Sequence, residues 1–275
     1  MQTIYLKKIP LDYKKYVKRS ALEKDYRMMI SESTVIRDDD TGEVKVIYYC
    51  IPLDTTEVLE AVKKIKYQTT ERSGGLKTTS RIFGYMPRIP MRTDACRKAS
   101  LAEDFPKENR IISDYAKNVS EVYQYENPKM FDKHDKLAKK VLPDYKIEGS
   151  PFTSGIVNKN NPLKYHFDSG NFNDVFSCMI GFKQDVGGGH LALPEYGAAL
   201  EIAPNSITIF DGQKIMHGVT PIRYYNEDAF RYTIVYYSLK GMWKCEPLEA
   251  ELARIRNKHS EREMNWKETL GKNVK

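Results

Sequence analysis

Hydrophobic positions recur along this chain with two different periods, and the change falls near residue 150. Before it the spacing is mostly helical. In "ENRIISDYAKNVSEVYQY", Ile111, Ile112, Tyr115, Val119, Val122 and Tyr123 share one face of a 3.6-residue period, which predicts a single amphipathic helix. "MFDKHDKLAKKVL" predicts a second, with His134 at a packing or surface position. "DTTEVLEAVKKIKY" predicts another, with Asp54 as N-cap and Glu57 at the capping-box position. Further upstream, "STVIRDDDTGEVKVIYYCI" predicts a hairpin: Val35 and Ile36 on one arm, a Thr41-Gly42 turn, and a return arm from Val44 to Ile51.

From about residue 151 the period shortens to two. "FTSGIV", "KYHFD", "VFSCMIGF", "HLALPE", "ALEIA", "SITIFD", "KIMHGV" and "RYTIVYYSL" are short β-type runs parted by Asn161-Pro162, Gly187-Gly188-Gly189, Pro204-Asn205 and Asn226-Glu227-Asp228. Runs at this spacing predict a jelly roll or small barrel, so the fold class expected is α+β. The organisation expected is one compact domain. Residues 1–145 form a helical and hairpin region packing on the barrel, 146–243 the jelly-roll core, and 244–275 a helical tail outside it. There is no internal repeat or low-complexity segment.

Composition narrows this picture. A chain of 275 residues with 41% hydrophobic residues has enough apolar material for a sizeable core and is not of the disordered class. The net charge of +7 favours a polyanionic partner, although a basic solvated surface gives the same count. Cys50, Cys96, Cys178 and Cys245 lie far apart with no CxxC pair, so neither a disulfide framework nor a zinc ribbon is expected. The first twenty residues lack an apolar signal core, and no run is long and apolar enough to span a membrane. The expectation is a soluble protein of a reducing, cytoplasmic compartment, with the sequon at Asn118-Val119-Ser120 a chance match. Charge is uneven: residues 72–98 hold Arg72, Lys77, Arg81, Arg88, Arg92, Arg97 and Lys98 against one acid, Asp94, with Phe83 and Tyr85 among them.

Candidate chemistry centres on "KYHFDSGN". On a strand, His166 and Asp168 point one way while Tyr165 and Phe167 pack the other. Such a pair can be a surface contact, a catalytic dyad or two metal ligands. The remaining histidines are His134, His190, His217 and His259, and His217 falls within a later predicted strand of the barrel. A His-x-Asp pair with one distant histidine is the facial triad that holds Fe(II) and leaves the opposite positions open. Arg231 follows His217 at the start of "FRYTIVYYSL", and Thr233 shares its face. A buried guanidinium beside a hydroxyl can clamp a carboxylate through two parallel bonds, as 2-oxoglutarate requires. A structural arginine on a barrel edge is the competing reading.

From "PFTSGIVNKNN" through "YHFDSGN", "GGGHLALPEYG", "ITIFDGQKIMHGVTPI" and "RYTIVYYS", the chain resembles the TET/JBP family of Fe(II)- and 2-oxoglutarate-dependent nucleic-acid-base dioxygenases. The likeness covers about residues 80–243, includes "FGYMPRIPMR", and is strongest to the compact members of phages and protists. It implies a double-stranded β-helix with Fe(II) on His166, Asp168 and His217, and 2-oxoglutarate on Arg231 and Thr233. With O2, such enzymes hydroxylate the 5-methyl group of 5-methylcytosine or thymine in DNA and release succinate. The HxDxxN pattern is intact, so Asn171 is expected at the flipped base; a turn asparagine after Gly170 is the alternative. The basic 72–98 segment then reads as a duplex-binding arm, with Arg81, Arg88 and Arg92 on phosphates and its aromatics against bases. A phage-encoded protein in its host's cytoplasm fits this reading, which calls for no membrane and no obligate protein partner. The cysteine-rich zinc module and long insert of the animal enzymes are missing. Gly187–Gly189 lack a GK[ST] ending and are expected to turn a strand, with His190 packing, facing solvent or touching substrate. Other substrates stay open on the same scaffold: RNA, a free nucleotide, or a protein side chain. So does a non-enzymatic reader of modified bases.

Overall fold

The structure is a computed structural model that describes residues 1–50, 54–72, 76–89 and 95–272. Its strands are β1 (Gln2–Leu6), β2 (Met28–Ile30), β3 (Thr34–Asp38), β4 (Val44–Cys50), β5 (Gln68–Arg72), β6 (Leu76–Met86), β7 (Arg97–Lys98) and β8 (Ser154–Lys159). They continue with β9 (Ser177–Gln184), β10 (Val186–Gly188), β11 (Leu191–Leu193), β12 (Ala198–Leu200), β13 (Ser206–Phe210), β14 (Gly218–Val219), β15 (Ile222–Tyr224) and β16 (Phe230–Tyr237). The helices are α1 (Tyr13–Tyr16), α2 (Thr56–Lys64), α3 (Ser100–Asp104), α4 (Pro106–Asp114), α5 (Ala116–Glu126), α6 (Pro128–Ala138) and α7 (Leu248–Lys272).

A large sheet runs in the order β1-β3-β4-β13-β9-β16-β8-β6-β5, with β7 beside β6. A smaller sheet, β14-β11-β12-β2, faces it, and β10 and β15 form a separate ribbon. The α+β jelly-roll expectation therefore holds. Strands from the first 145 residues enter both sheets, β2 joining the smaller one and β1, β3, β4, β5 and β6 the larger.

The period-two pattern explains how the large sheet serves two cores at once. Cys178, Ile180 and Phe182 of β9 and Tyr232, Ile234 and Tyr236 of β16 face α2, α4 and α5, which contribute Val58, Val62, Ile112, Val119 and Tyr123. The alternate residues turn inward: Met179 of β9 and Phe210 of β13 pack on Leu191, Leu193 and Leu200 of the small sheet. On β16 the inward set is Arg231, Thr233, Val235 and Tyr237, which line a cavity between the sheets.

Local differences from expectation have local causes. The hairpin forms as β3 and β4, with a register shift at Ile36/Arg37; Ile51 lies outside the described residues. The single helix expected over 108–125 is two, α4 and α5, because Tyr115 ends one and begins the next while packing into the core. Helix α2 starts one residue later than expected: Thr55 holds the N-cap and Asp54 accepts from the Thr56 N–H. "KYHFD" forms no strand, only a bridge between His166 and His217. The cysteine expectation is overturned, since Cys96 and Cys245 form a disulfide across 149 residues. That pairing is set by the docking of the segment after β16 onto the residues just before β7, which no sequence spacing announces. None of the described helices is long and apolar enough to cross a membrane.

Candidate active site

His166 and His217 face each other across a two-way backbone bridge: His166 N–H donates to His217 O (3.0 Å) and His217 N–H to His166 O (3.1 Å). Asp168 is anchored beside them by its N–H on Gly212 O (2.8 Å). Both imidazole Nε2 atoms then lie 3.8 Å from Asp168 Oδ1, too far for a hydrogen bond yet converging on one point. Each Nδ1 sits against a backbone carbonyl, Lys164 O at 2.8 Å and Ile215 O at 2.9 Å. A carbonyl can only accept, so each Nδ1 carries a proton, and Nε2 is the ring nitrogen that faces the carboxylate. Two imidazoles and one carboxylate whose ligand atoms lie within 4.8 Å of one another fit a divalent transition metal. Gly212 is needed here, because a Cβ on it would lie 2.2 Å from Asp168 Oδ2.

Of the segment's aromatics, Tyr165 packs the opposite way, while Phe167 also borders the cavity that holds His166 and Asp168. Tyr165 is fully buried, edge-on to Tyr16, with its hydroxyl on Asp25 (3.2 Å). Phe167 meets Tyr13 edge-on. Backbone bonds from Lys18 to Tyr165 O and from Tyr165 to Arg19 O hold the N-terminal segment against it.

The cavity they border measures about 240 Å3, and at its other wall lies Arg231. Arg231 is 2% exposed, and burial pushes its guanidinium down to about 10. Its Nε donates to Gly189 O (2.8 Å), and no carboxylate among the described residues pairs with it. An unpaired buried cation costs several kcal/mol, so a ligand's anionic group is the natural occupant of the space before it. Gly189, in a left-handed conformation (φ +68°), lets the arginine pass: a Cβ there would lie 2.7 Å from Arg231 Cδ. Thr233 accepts from Asn158 Nδ2 (3.2 Å), whose Oδ1 accepts from Asn161 (3.1 Å), and both asparagines line the cavity. Ile156, Leu191, Val219 and Val235 give it apolar sides. Larger surface grooves, one of about 910 Å3, gather no comparable set of donors among the described residues.

Asn171 reaches the same cavity, buried, with Nδ2 on Ser177 Oγ (3.3 Å) and its backbone bridged to Leu239. The basic arm does not assemble as expected. Arg81 is 3% exposed on β6 and pairs with Asp104, because β6 is an inner strand between β8 and β5. Arg88 is held by Glu251 (Nε 3.1 Å, Nη2 2.7 Å) and by Glu246. Phe83 is buried against Tyr236, and Tyr85 packs on Tyr145. Neither arginine is offered to a phosphate, and Arg92 lies outside the described residues. Glu251 also accepts from the Cys96 and Glu246 N–H groups, so this acid and the disulfide tie the start of α7 to the chain before α3.

His190 is partly buried, bonded through its backbone to Thr220, and burial lowers its pKa. His134 is wholly buried, its Nε2 on Ser238 Oγ (2.8 Å), so it packs. The residues that sequence reasoning passed over are Gly212, Gly189, Asn158 and Asn161. Only "FDGQK", a glycine after an aspartate just ahead of the distal histidine, carried any signal.

Fold and site together define an oxygenase domain of the 2-oxoglutarate/Fe(II) superfamily. Residues 87–240 match the Tet_JBP model, described as the oxygenase domain of the 2OGFeDO superfamily, and the chain belongs to that family. Thymine dioxygenase JBP1 of Trypanosoma brucei brucei is 29% identical over 140 residues, which are 50% of this chain and 16% of that protein. Thymine dioxygenase JBP1-A of Trypanosoma cruzi (strain CL Brener) is 24% identical over 78% of this chain and 26% of its own length. The chain thus spans only a fraction of the curated relatives it matches. NgTET1 in complex with 5mC DNA shares the fold, with a TM-score of 0.54 at 14% identity, covering 87% of this chain and 91% of that one.

Proposed function

We propose that this protein hydroxylates the 5-methyl group of a pyrimidine base in duplex DNA, with Fe(II), 2-oxoglutarate and O2. One observation carries the reading: a cavity of about 240 Å3 has two imidazoles and a carboxylate converging on one wall and an arginine without an acid on the other. His166, Asp168 and His217 hold the metal; Arg231, with Thr233, takes the distal carboxylate of 2-oxoglutarate. Fe(II) with these co-substrates supplies the oxidative decarboxylation that is coupled to C–H hydroxylation. The chain's own part is to bind and orient. The Nδ1 bonds fix both imidazoles, Arg231 aligns the keto acid, and the apolar walls keep bulk water away.

A methyl group inside a base stack cannot reach such a cavity, so the base is flipped out. Asn171, which lines the cavity, meets its edge with an amide that can both donate and accept. Support for a DNA base comes from family membership and from relatives named thymine dioxygenases. The test is incubation with thymine-only DNA and with DNA containing 5-methylcytosine, followed by mass spectrometry of the nucleosides. A hydroxymethyl product from either, stoichiometric with succinate, is expected; succinate without an oxidised base from any DNA overturns the substrate. Asn171→Ala should keep iron and 2-oxoglutarate binding while base oxidation falls about ten- to a hundredfold. Wild-type oxidation in that variant removes Asn171 from base recognition.

A further inference from the structure

Arg81 and Arg88 are engaged by acids of this chain, which raises the question of which surface receives the duplex. We infer that the lysine-bearing face of α6 and its C-terminal extension is the docking surface for the DNA backbone. This rests on the reading of the site as DNA-directed.

Lys129, Lys133, Lys136 and Lys140 recur at helical spacing and line one shallow surface with Asp132 and Leu137. Residues three and four apart share a helix face, so these four ammonium groups form a stripe about three turns long. Lys129, Lys136 and Lys140 are exposed, and no ion pair engages them among the described residues. Asp135 is taken by Lys139 (2.7 Å), off the stripe.

Charge alone would describe any solvated helix. Continuity with the cavity mouth is the second observation. Trp243, 38% exposed, donates from Nε1 to Leu137 O (3.1 Å) in the middle of the stripe. Its ring stacks on Phe172 (4.4 Å between centroids), the neighbour of Asn171 at the cavity. Lys133 pairs with Asp174 (3.4 Å), which also holds Lys214, two residues beyond Gly212 of the site. Lys240, one residue from the cavity residue Leu239, donates to Asn173 (2.9 Å), and the exposed Lys244 follows. A chain of contacts therefore links the α6 stripe to residues beside the cavity, with Lys133, Lys214 and Lys240 along it. A backbone lying along it brings a flipped nucleotide to Asn171, and the lysines meet phosphates as mobile point charges.

The experiment measures binding of a short labelled duplex, by fluorescence anisotropy across a salt series. It compares wild type, Lys129→Gln/Lys136→Gln/Lys140→Gln, Lys136→Glu/Lys140→Glu, and a control, Lys64→Gln/Lys107→Gln, on α2 and α4. Loss of three phosphate contacts should lower the slope of log affinity against log salt by about 2 to 3 and weaken binding roughly tenfold or more near 0.1 M salt. Charge reversal should weaken it further, with the control unchanged. Unfolding midpoint and 2-oxoglutarate affinity of each variant exclude misfolding. Wild-type affinity and slope in the triple variant overturn the proposal, as does an equal loss in the control. So does a loss confined to single-stranded DNA or RNA. If stripe variants lose duplex binding but wild type oxidises no base, the docking surface stands and the proposed substrate fails.

Discussion

Two arginines, Arg81 and Arg231, are almost equally buried, on strands separated in the large sheet only by β8, and the chain treats them in opposite ways. Arg81 has an acid, Asp104, and its neighbour in sequence Arg88 has two. Arg231 has a carbonyl and a cavity. A guanidinium cannot escape burial by giving up its proton, so its charge must be answered by something. Where the protein answers it, the arginine is architecture; where the protein leaves it open, the arginine is waiting for a ligand. Counting basic residues in the sequence cannot make that distinction, because it depends on which acids the fold brings near.

The largest effect should come from the wall opposite Arg231. Asp168→Ala removes one of three donors, so turnover should fall to background and bound Fe(II) should drop, with the fold kept by the His166–His217 bridge. Turnover and circular dichroism, measured together, check both halves. Next, Arg231→Met should raise the KM for 2-oxoglutarate about ten- to a hundredfold, the equivalent of one charge-assisted contact of about 1.5–3 kcal/mol. In wild type 2-oxoglutarate should raise the unfolding midpoint, and in this variant it should not. A variant still stabilised by the co-substrate would break the contrast between the two arginines.

Asp104→Ala sharpens the contrast from the other side by leaving Arg81 as unanswered as Arg231. Asp104 is half-exposed, so solvent screens the pair and the expected loss is about 1–2 kcal/mol in denaturant unfolding. 2-Oxoglutarate KM should stay put. The smallest effect concerns a third buried base, His134, which meets the same problem by staying neutral. Ser238 Oγ donates to Pro151 O, so it accepts from His134 Nε2, and Nδ1 is left without a partner. Burial pushes this imidazole down to about 3. The unfolded chain, titrating near 6.5, therefore binds the proton first, and stability present above that pH is lost as pH falls toward 3. Between pH 6.5 and 5.5 the loss should be about 1 kcal/mol. His134→Gln should flatten that stretch of the midpoint-against-pH curve.

What could be read from residue order is what depends on residue type at short range. The HxD pair, the later histidine, Arg231 and Thr233 carry chemistry that few other residues supply, and all five border one cavity. The β-runs after 151 were legible because alternation survives in a strand whatever it packs against. The role of residues 72–98 was not: β6 looks basic and solvated until β8, β5 and Asp104 close around it. Gly212 and Gly189 are ordinary turn glycines by composition, and only the approach of Asp168 and Arg231 gives them a task. The break at Tyr115 and the Cys96–Cys245 bond likewise belong to tertiary packing.

The backbone clasp between His166 and His217 has a consequence for how this chain can change over generations. It closes a ring through the residues from Phe167 to Met216, and the two imidazoles sit at the buckle. Extra length added to a turn inside the ring alters its circumference and leaves the buckle alone. Doubling a flexible loop costs only about 0.6 kcal/mol, so such growth is thermodynamically cheap. Lineages can therefore lengthen or trim the excursion between the two histidines, adding surface around the cavity, while the donor geometry is inherited untouched.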